Sequence, residues 1–150
     1  MVNYFFEQKP SKECQLNLKH IDRHFMKNCW SEESWDHFNF DHHAVGWVEI
    51  ENEMIGFALF DHLANDTYAH LLKIVVKLPW QRKGVGEHIL MESLKRLKLL
   101  GVQTCGLEVA IDNLRAISLY QKMGYKTLRA LKGFYSDGTD ACAMSKELRF

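Results

Sequence analysis

Nothing in the overall charge of this sequence attracts a polyanion: nineteen basic residues balance nineteen acidic ones. Neither a nucleic-acid backbone nor an anionic membrane surface is therefore an expected partner, and any anion site must be local. No apolar run approaches the roughly 20 residues that cross a bilayer, so no membrane-spanning role is expected. Cysteine is sparse and scattered. Cys14, Cys29, Cys105 and Cys142 form no Cys-x-x-Cys pair and follow no secretory leader, so free thiols in a reducing, cytoplasmic setting are expected. The eight histidines include the pair His42-His43, but H-E-x-x-H and Cys/His ligand spacings are missing, and no metal is expected. Internal repeats, low-complexity tracts and Pro/Gly/Ser-rich linkers are also missing, as in a single domain covering 1–150.

What is present suits that domain: 150 residues, 47% hydrophobic and 25% charged, are enough to bury one continuous core. A short strand is expected around Val2–Glu7 and a helix from about Ser11 to Phe25. Ser31, followed by Glu32 and Glu33, caps a second short helix. From Ala44 the pattern changes to three strands joined by hairpins, "AVGWVEI", "MIGFALF" and "YAHLLKIVVKL". The third is so nearly apolar throughout that it reads as a central strand covered on both faces. After Gly86 the period is helical, with Leu90, Leu94 and Leu97 on one stripe, until Gly101 ends it. A strand "TCGLEV", a helix begun at Asp112 or Asn113 and stopped at Gly124, and the strands "YKTLRAL" and "ACAMSKEL" complete the chain. The expected fold is α/β, a mixed sheet of about seven strands with helices on both faces.

Between the third hairpin strand and the long helix stands "QRKGVGEHIL". A dinucleotide fingerprint would need a third glycine at 89, which is Ile, and a Walker loop would need Lys-Ser or Lys-Thr after Gly86, which is followed by Glu87-His88. Two readings remain. Gly84 and Gly86 merely relieve strain in a strand-to-helix turn, or they bare backbone N–H groups that join the helix N-terminus around a phosphate or diphosphate, with Arg82 and Lys83 adding charge.

Two further residues invite chemistry. In "CGLEV", Cys105, Leu107 and Val109 share one face and Gly106 and Glu108 the other. A carboxylate in a covered strand needs a task or a partner, unless the strand ends there and Glu108 meets water. Tyr120 lies on the helical stripe of Ile117 and Met123, where a core tyrosine is the ordinary explanation. Asn113 fits an N-cap.

Gln81, Gly84 and Gly86, set between a strand and a helix, match the loop Q/R-x-x-G-x-G/A, and in this the sequence resembles the GNAT superfamily of acetyl-CoA-dependent N-acetyltransferases. "LEVAIDNLRAISLYQKMGY", "FYSDGTDACAM" and "WSEESW" further resemble the bacterial ribosomal-protein-alanine N-acetyltransferases, which modify protein N-termini. The resemblance implies a GNAT fold with acetyl-CoA as co-substrate. Its diphosphate would rest on Arg82, Lys83, Gly84, Val85, Gly86 and Glu87. Its pantetheine arm would pair with Ile74, Val75 and Val76, with the Val76 N–H as oxyanion donor, and Gln81 and Asn113 would also contact it. The resemblance makes Glu108 the general base, acting through a water, and Tyr120 the general acid for the departing thiolate. It implies Tyr135, and more weakly Trp30, Glu33 and Asp137, as acceptor-side residues.

The expected reaction is direct transfer to a primary amine in a ternary complex, with no cysteine nucleophile, by a monomer or homodimer. The favoured acceptor is a protein or peptide N-terminus. A small-molecule amine such as a polyamine or amino sugar is the alternative, because Glu32, Glu33, Asp137 and Asp140 could hold a polycation. A non-catalytic acyl-CoA-binding module would keep the loop but could dispense with Glu108 and Tyr120.

Overall fold

The computed structural model describes residues 2–26 and 29–148. One seven-stranded sheet runs through it in the order β1-β2-β3-β4-β5-β7-β6. The strands are β1 Val2–Gln8, β2 His43–Ile50, β3 Glu53–Asp61, β4 Tyr68–Val76, β5 Thr104–Ala110, β6 Lys126–Leu131 and β7 Ala141–Glu147. The helices are α1 Lys12–Phe25, α2 Glu32–Asp36, α3 Val85–Leu99 and α4 Leu114–Lys122. Every neighbouring pair of strands is antiparallel except β4 and β5. The long α3 crossover makes that one parallel contact possible.

Local chemistry sets the ends of these elements. The side chains of Ser11, Ser31 and Asn113 accept the N–H groups of Cys14, Ser34 and Ala116, capping α1, α2 and α4. The β2–β3 hairpin turns on Glu51 and Asn52, both at positive φ, which matches the twist of the flanking strands. Helix α3 begins at Val85, with Gly84 as its N-cap residue, so Gly86 belongs to the first helical turn rather than preceding it.

Helices cover both faces. Ile89, Leu90, Leu94 and Leu97 of α3 and Tyr120 of α4 pack on one side with Val48, Ile55, Leu71 and Leu107. Leu18 and Ile21 of α1 and Trp35 of α2 pack on the other with Val45, Phe57, Leu59 and Val75. The strand buried throughout its interior is β3, not β4. In β4 burial alternates, and Ile74 and Val76 are left half-buried where the sheet opens beside it.

Candidate active site

Strands β4 and β5 pair only from Tyr68 with Thr104 to Leu71 with Leu107. Beyond Leu71 the register between β3 and β4 shifts at Leu59/Phe60, so the bulge falls on Leu72. From there β4 stays with β3 while β5 stays with β7, and a wedge opens between them. The Lys77 N–H donates to the Ile55 carbonyl at 2.9 Å. In an antiparallel ladder bonding alternates, so the amides of Ile74 and Val76 turn away from β3 and toward the wedge. The Val76 carbonyl is already occupied: Gln81 Nε2 donates to it at 2.8 Å, fixing the turn that leads into the loop.

A groove of about 360 Å³ occupies one side of the wedge, floored by Ile74 and Val76 and closed by Ala116 and Leu119 of α4. Gln81, Arg82, Gly84, Gly86, Glu87 and Asn113 form its polar end together with Arg115. The two glycines differ in kind. Gly84 has φ 78°, a left-handed conformation that a side chain would strain. Gly86 has no such φ, and a Cβ there would meet only ordinary contacts, Val76 Cγ2 at 3.7 Å and Ile74 Cδ1 at 3.9 Å. Strain relief therefore accounts for Gly84 and not for Gly86, which keeps the groove floor bare. Glu87 is neutralised by Lys122 at 3.0 Å, leaving Arg82 and Arg115 as the charge facing an anion. The side chains of three residues of the expected set are directed away from the groove, which leaves only their backbone to serve it. Val75 is buried on the α1 side of the sheet, Val85 packs against the α3-side core, and Lys83 lies over the Trp80 ring, 5.5 Å from its centroid.

A second cavity of about 250 Å³ shares Ile74, Asn113 and Ala116 with the groove. Glu108, Tyr120, Tyr135 and Trp30 all line it. Glu108 is 28% exposed and accepts a hydrogen bond from His70 Nε2 at 2.9 Å. His70 Nδ1 lies 2.8 Å from the Tyr68 hydroxyl. Gly106, opposite His70 in the ladder, makes room for this row: a Cβ there would stand 2.1 Å from the Tyr68 oxygen. The carboxylate thus has both a partner and a view of solvent. Tyr120 is 5% exposed. Burial pushes its phenol well above the usual range, and Tyr135 and Cys105 push in the same direction, so it stands as a neutral proton donor at ordinary pH. Tyr135 is raised as well, by burial first and then by Glu108 and Asp112.

The remaining acceptor-side candidates divide. Trp30 and Met26 line the same cavity as Tyr135. Asp137 lines an adjoining cavity and accepts the Thr139 N–H. Glu33 stays in exposed α2, where its backbone carbonyl receives His37, and it does not reach the cavity. Glu32 pairs with Lys19 at 3.0 Å, and Asp140 accepts the Gly133 N–H at 2.7 Å. The acceptor stretch "NCWSEESW" begins at Asn28, outside the described residues. Sequence reasoning missed the lining residues Lys73, Met26 and Arg115, and His70, which holds Glu108. For His70 a signal existed: with Tyr68 it places two polar rings on one face of an otherwise apolar strand.

Residues 15–125 match the model of the acetyltransferase (GNAT) family. An N-alpha-acetyltransferase of Saccharolobus solfataricus is 38% identical over 110 residues, 72% of this chain and 65% of that protein. The chain thus spans just under two thirds of that relative's length. The ribosomal protein bS18-alanine N-acetyltransferase of Escherichia coli K12 is 27% identical over 81% of this chain and 82% of its own. The crystal structure of the Escherichia coli ribosomal-protein-S18-alanine N-acetyltransferase superposes with a TM-score of 0.86 at 24% identity, covering 99% of this chain and 96% of that one.

Proposed function

The chain belongs to the acetyltransferase (GNAT) family, and from that premise we propose that it is an N-acetyltransferase, transferring acetyl from acetyl-CoA to the α-amino group of a protein or peptide N-terminus. The observation that carries this reading is the end of β4–β5 pairing at Leu71 and Leu107. It opens one wedge with a bare glycine loop at one end and a carboxylate and a neutral phenol at the other. Relatives named for N-alpha-acetyl and alanine N-acetyl transfer support the choice of acceptor.

In this mechanism the loop amides, the α3 N-terminus, Arg82 and Arg115 hold the diphosphate. The amides of Ile74 and Val76 pair with the pantetheine arm as an added strand would. Glu108, oriented by His70, takes a proton from the amine through a bridging water. The base can be modest, because an α-amino group with pKa about 8 is nearer neutrality than lysine at about 10.4. As the C–N bond forms, the Val76 N–H receives the developing oxyanion. As the C–S bond breaks, Tyr120 gives its proton to the thiolate sulfur.

Transfer is direct, in a ternary complex. Cys105 faces the core side of β5, away from Glu108, and burial pushes its thiol up to about 11, which leaves it protonated and out of reach. Of the carboxylates that could hold a polycation, Glu32 pairs with Lys19, Glu33 does not line the cavity, and Asp137 and Asp140 are engaged by loop N–H groups. Thiol release from acetyl-CoA tests the reading with short peptides bearing free N-termini, the same peptides blocked at the N-terminus, polyamines, and free lysine. Free-terminus peptides are expected to be the best acceptors and blocked ones inert. Faster turnover of a polyamine than of every peptide overturns it.

A further inference from the structure

Behind the acceptor wall lies a charge pair that the reaction above does not use. Asp22 of α1 is fully buried, and the Lys73 side chain of β4 is 3% exposed. Asp22 Oδ1 accepts from Lys73 Nζ at 2.9 Å. Its Oδ2 accepts from the Trp30 backbone N–H at 2.9 Å and from Trp35 Nε1 at 2.7 Å. One carboxylate therefore ties a helix, a strand, the acceptor-side segment and α2 together. Lys73 also lies over the Trp30 ring, 4.7 Å from its centroid, and its stem lines the acceptor cavity. Trp30 is thus held twice, by its amide on Asp22 and by its ring under the ammonium.

We propose that Asp22 and Lys73 are positioning residues for the acceptor, a buried pair that seats Trp30 in the wall of the cavity that Tyr135 also lines. The proposal rests on the acceptor entering by this cavity, as in the function proposed above. Hydrophobic packing alone would bury Trp30 against Trp35 and Phe38, whose ring centroids lie 4.8 and 4.9 Å away, but it would not select one seat. Ionic hydrogen bonds are directional and do so. Burying either charge without the other is costly, so the carboxylate and the ammonium hold each other in place. The hydrogen bonds of the Asp22 carboxylate go to Lys73, Trp30 and Trp35, none of which lines the acetyl-CoA groove.

The test is steady-state kinetics with both substrates varied, on Lys73→Met and Asp22→Asn, with thermal unfolding alongside. The peptide KM is expected to rise about tenfold in each, while kcat and the acetyl-CoA KM stay within about twofold. A folded variant whose peptide KM is unchanged overturns the proposal, as does an equal rise in both KM values. Should a single variant fail to fold, the uncharged double variant Asp22→Asn with Lys73→Met is read against the same outcomes, since removing both charges of a buried pair is tolerated better than removing one. If wild type prefers polyamines to all peptides, the N-terminal reading fails on its own. The split between acceptor and acetyl-CoA KM is then read with the polyamine.

Discussion

Glu108 shows how much a single side chain depends on its neighbours. An isolated carboxylate in a covered strand is costly, yet this one receives His70 at 2.9 Å and keeps 28% exposure, so it is both held and reachable. Tyr120, twelve residues on in sequence, is instead kept neutral by burial. Opposite environments suit the two to the opposite tasks proposed for them, one taking a proton and one giving it. Glu108→Gln is isosteric, and Tyr120→Phe removes one hydroxyl, so each is expected to fold and to lower kcat about a hundredfold. Peptide turnover at saturating acetyl-CoA measures this. Unchanged turnover in both removes the catalytic assignment. That a carboxylate in "CGLEV" needs a task, a partner or solvent was readable there, but the partner itself was not, since His70 is far from Glu108 in sequence and only strand register brings them together.

At the scale of elements, the β4–β5 contact explains one glycine by another residue's reach. Tyr68 crosses the face of β5 to meet His70, and a Cβ at 106 would force the end of its ring to shift away from His70. Gly106→Ala is expected to destabilise the fold by about 1–3 kcal/mol, as other forced overpacking does. Adding Tyr68→Phe removes the atom 2.1 Å away but leaves Cζ at 3.0 Å, so part of the loss should return. Urea unfolding of both single variants and the double gives the coupling, and strictly additive effects contradict the contact. The ends of helices were legible because their causes are local: Ser11, Ser31 and Asn113 cap within three residues. The bulge at Leu72 was not. It switches the strand's inward row, turning Lys73 and Val75 toward α1 and leaving Ile74 and Val76 to the groove, and no residue at the bulge announces it.

Across the whole molecule, burial leaves several acidic protons locked in the core. Tyr4 is pushed from 10.0 to about 12, chiefly by burial. Cys14 is pushed from 9.0 to about 12 and Cys105 to about 11, and Tyr120 and Tyr125 stand higher still. The unfolded chain releases these protons first, so it binds fewer of them than the native state above the ordinary values. Stability is therefore expected to be intact below about pH 9 and to fall as pH rises through 11 and 12. Phenolate absorbance and circular dichroism should change together in an alkaline titration. Full ionisation of the tyrosines near pH 10 with native dichroism retained contradicts this. The amino-acid sequence by itself determined the order of elements, the caps at Ser31 and Asn113 and the glycine loop, because each rests on spacing within a few residues, and it offered Glu108 and Tyr120 as candidates through the family resemblance. Only the tertiary structure decided where β4 and β5 part, which residues face the wedge, and that His70, Asp22 and Lys73 stand behind the chemistry. Those depend on register, and register is set by packing between segments that the chain itself keeps far apart.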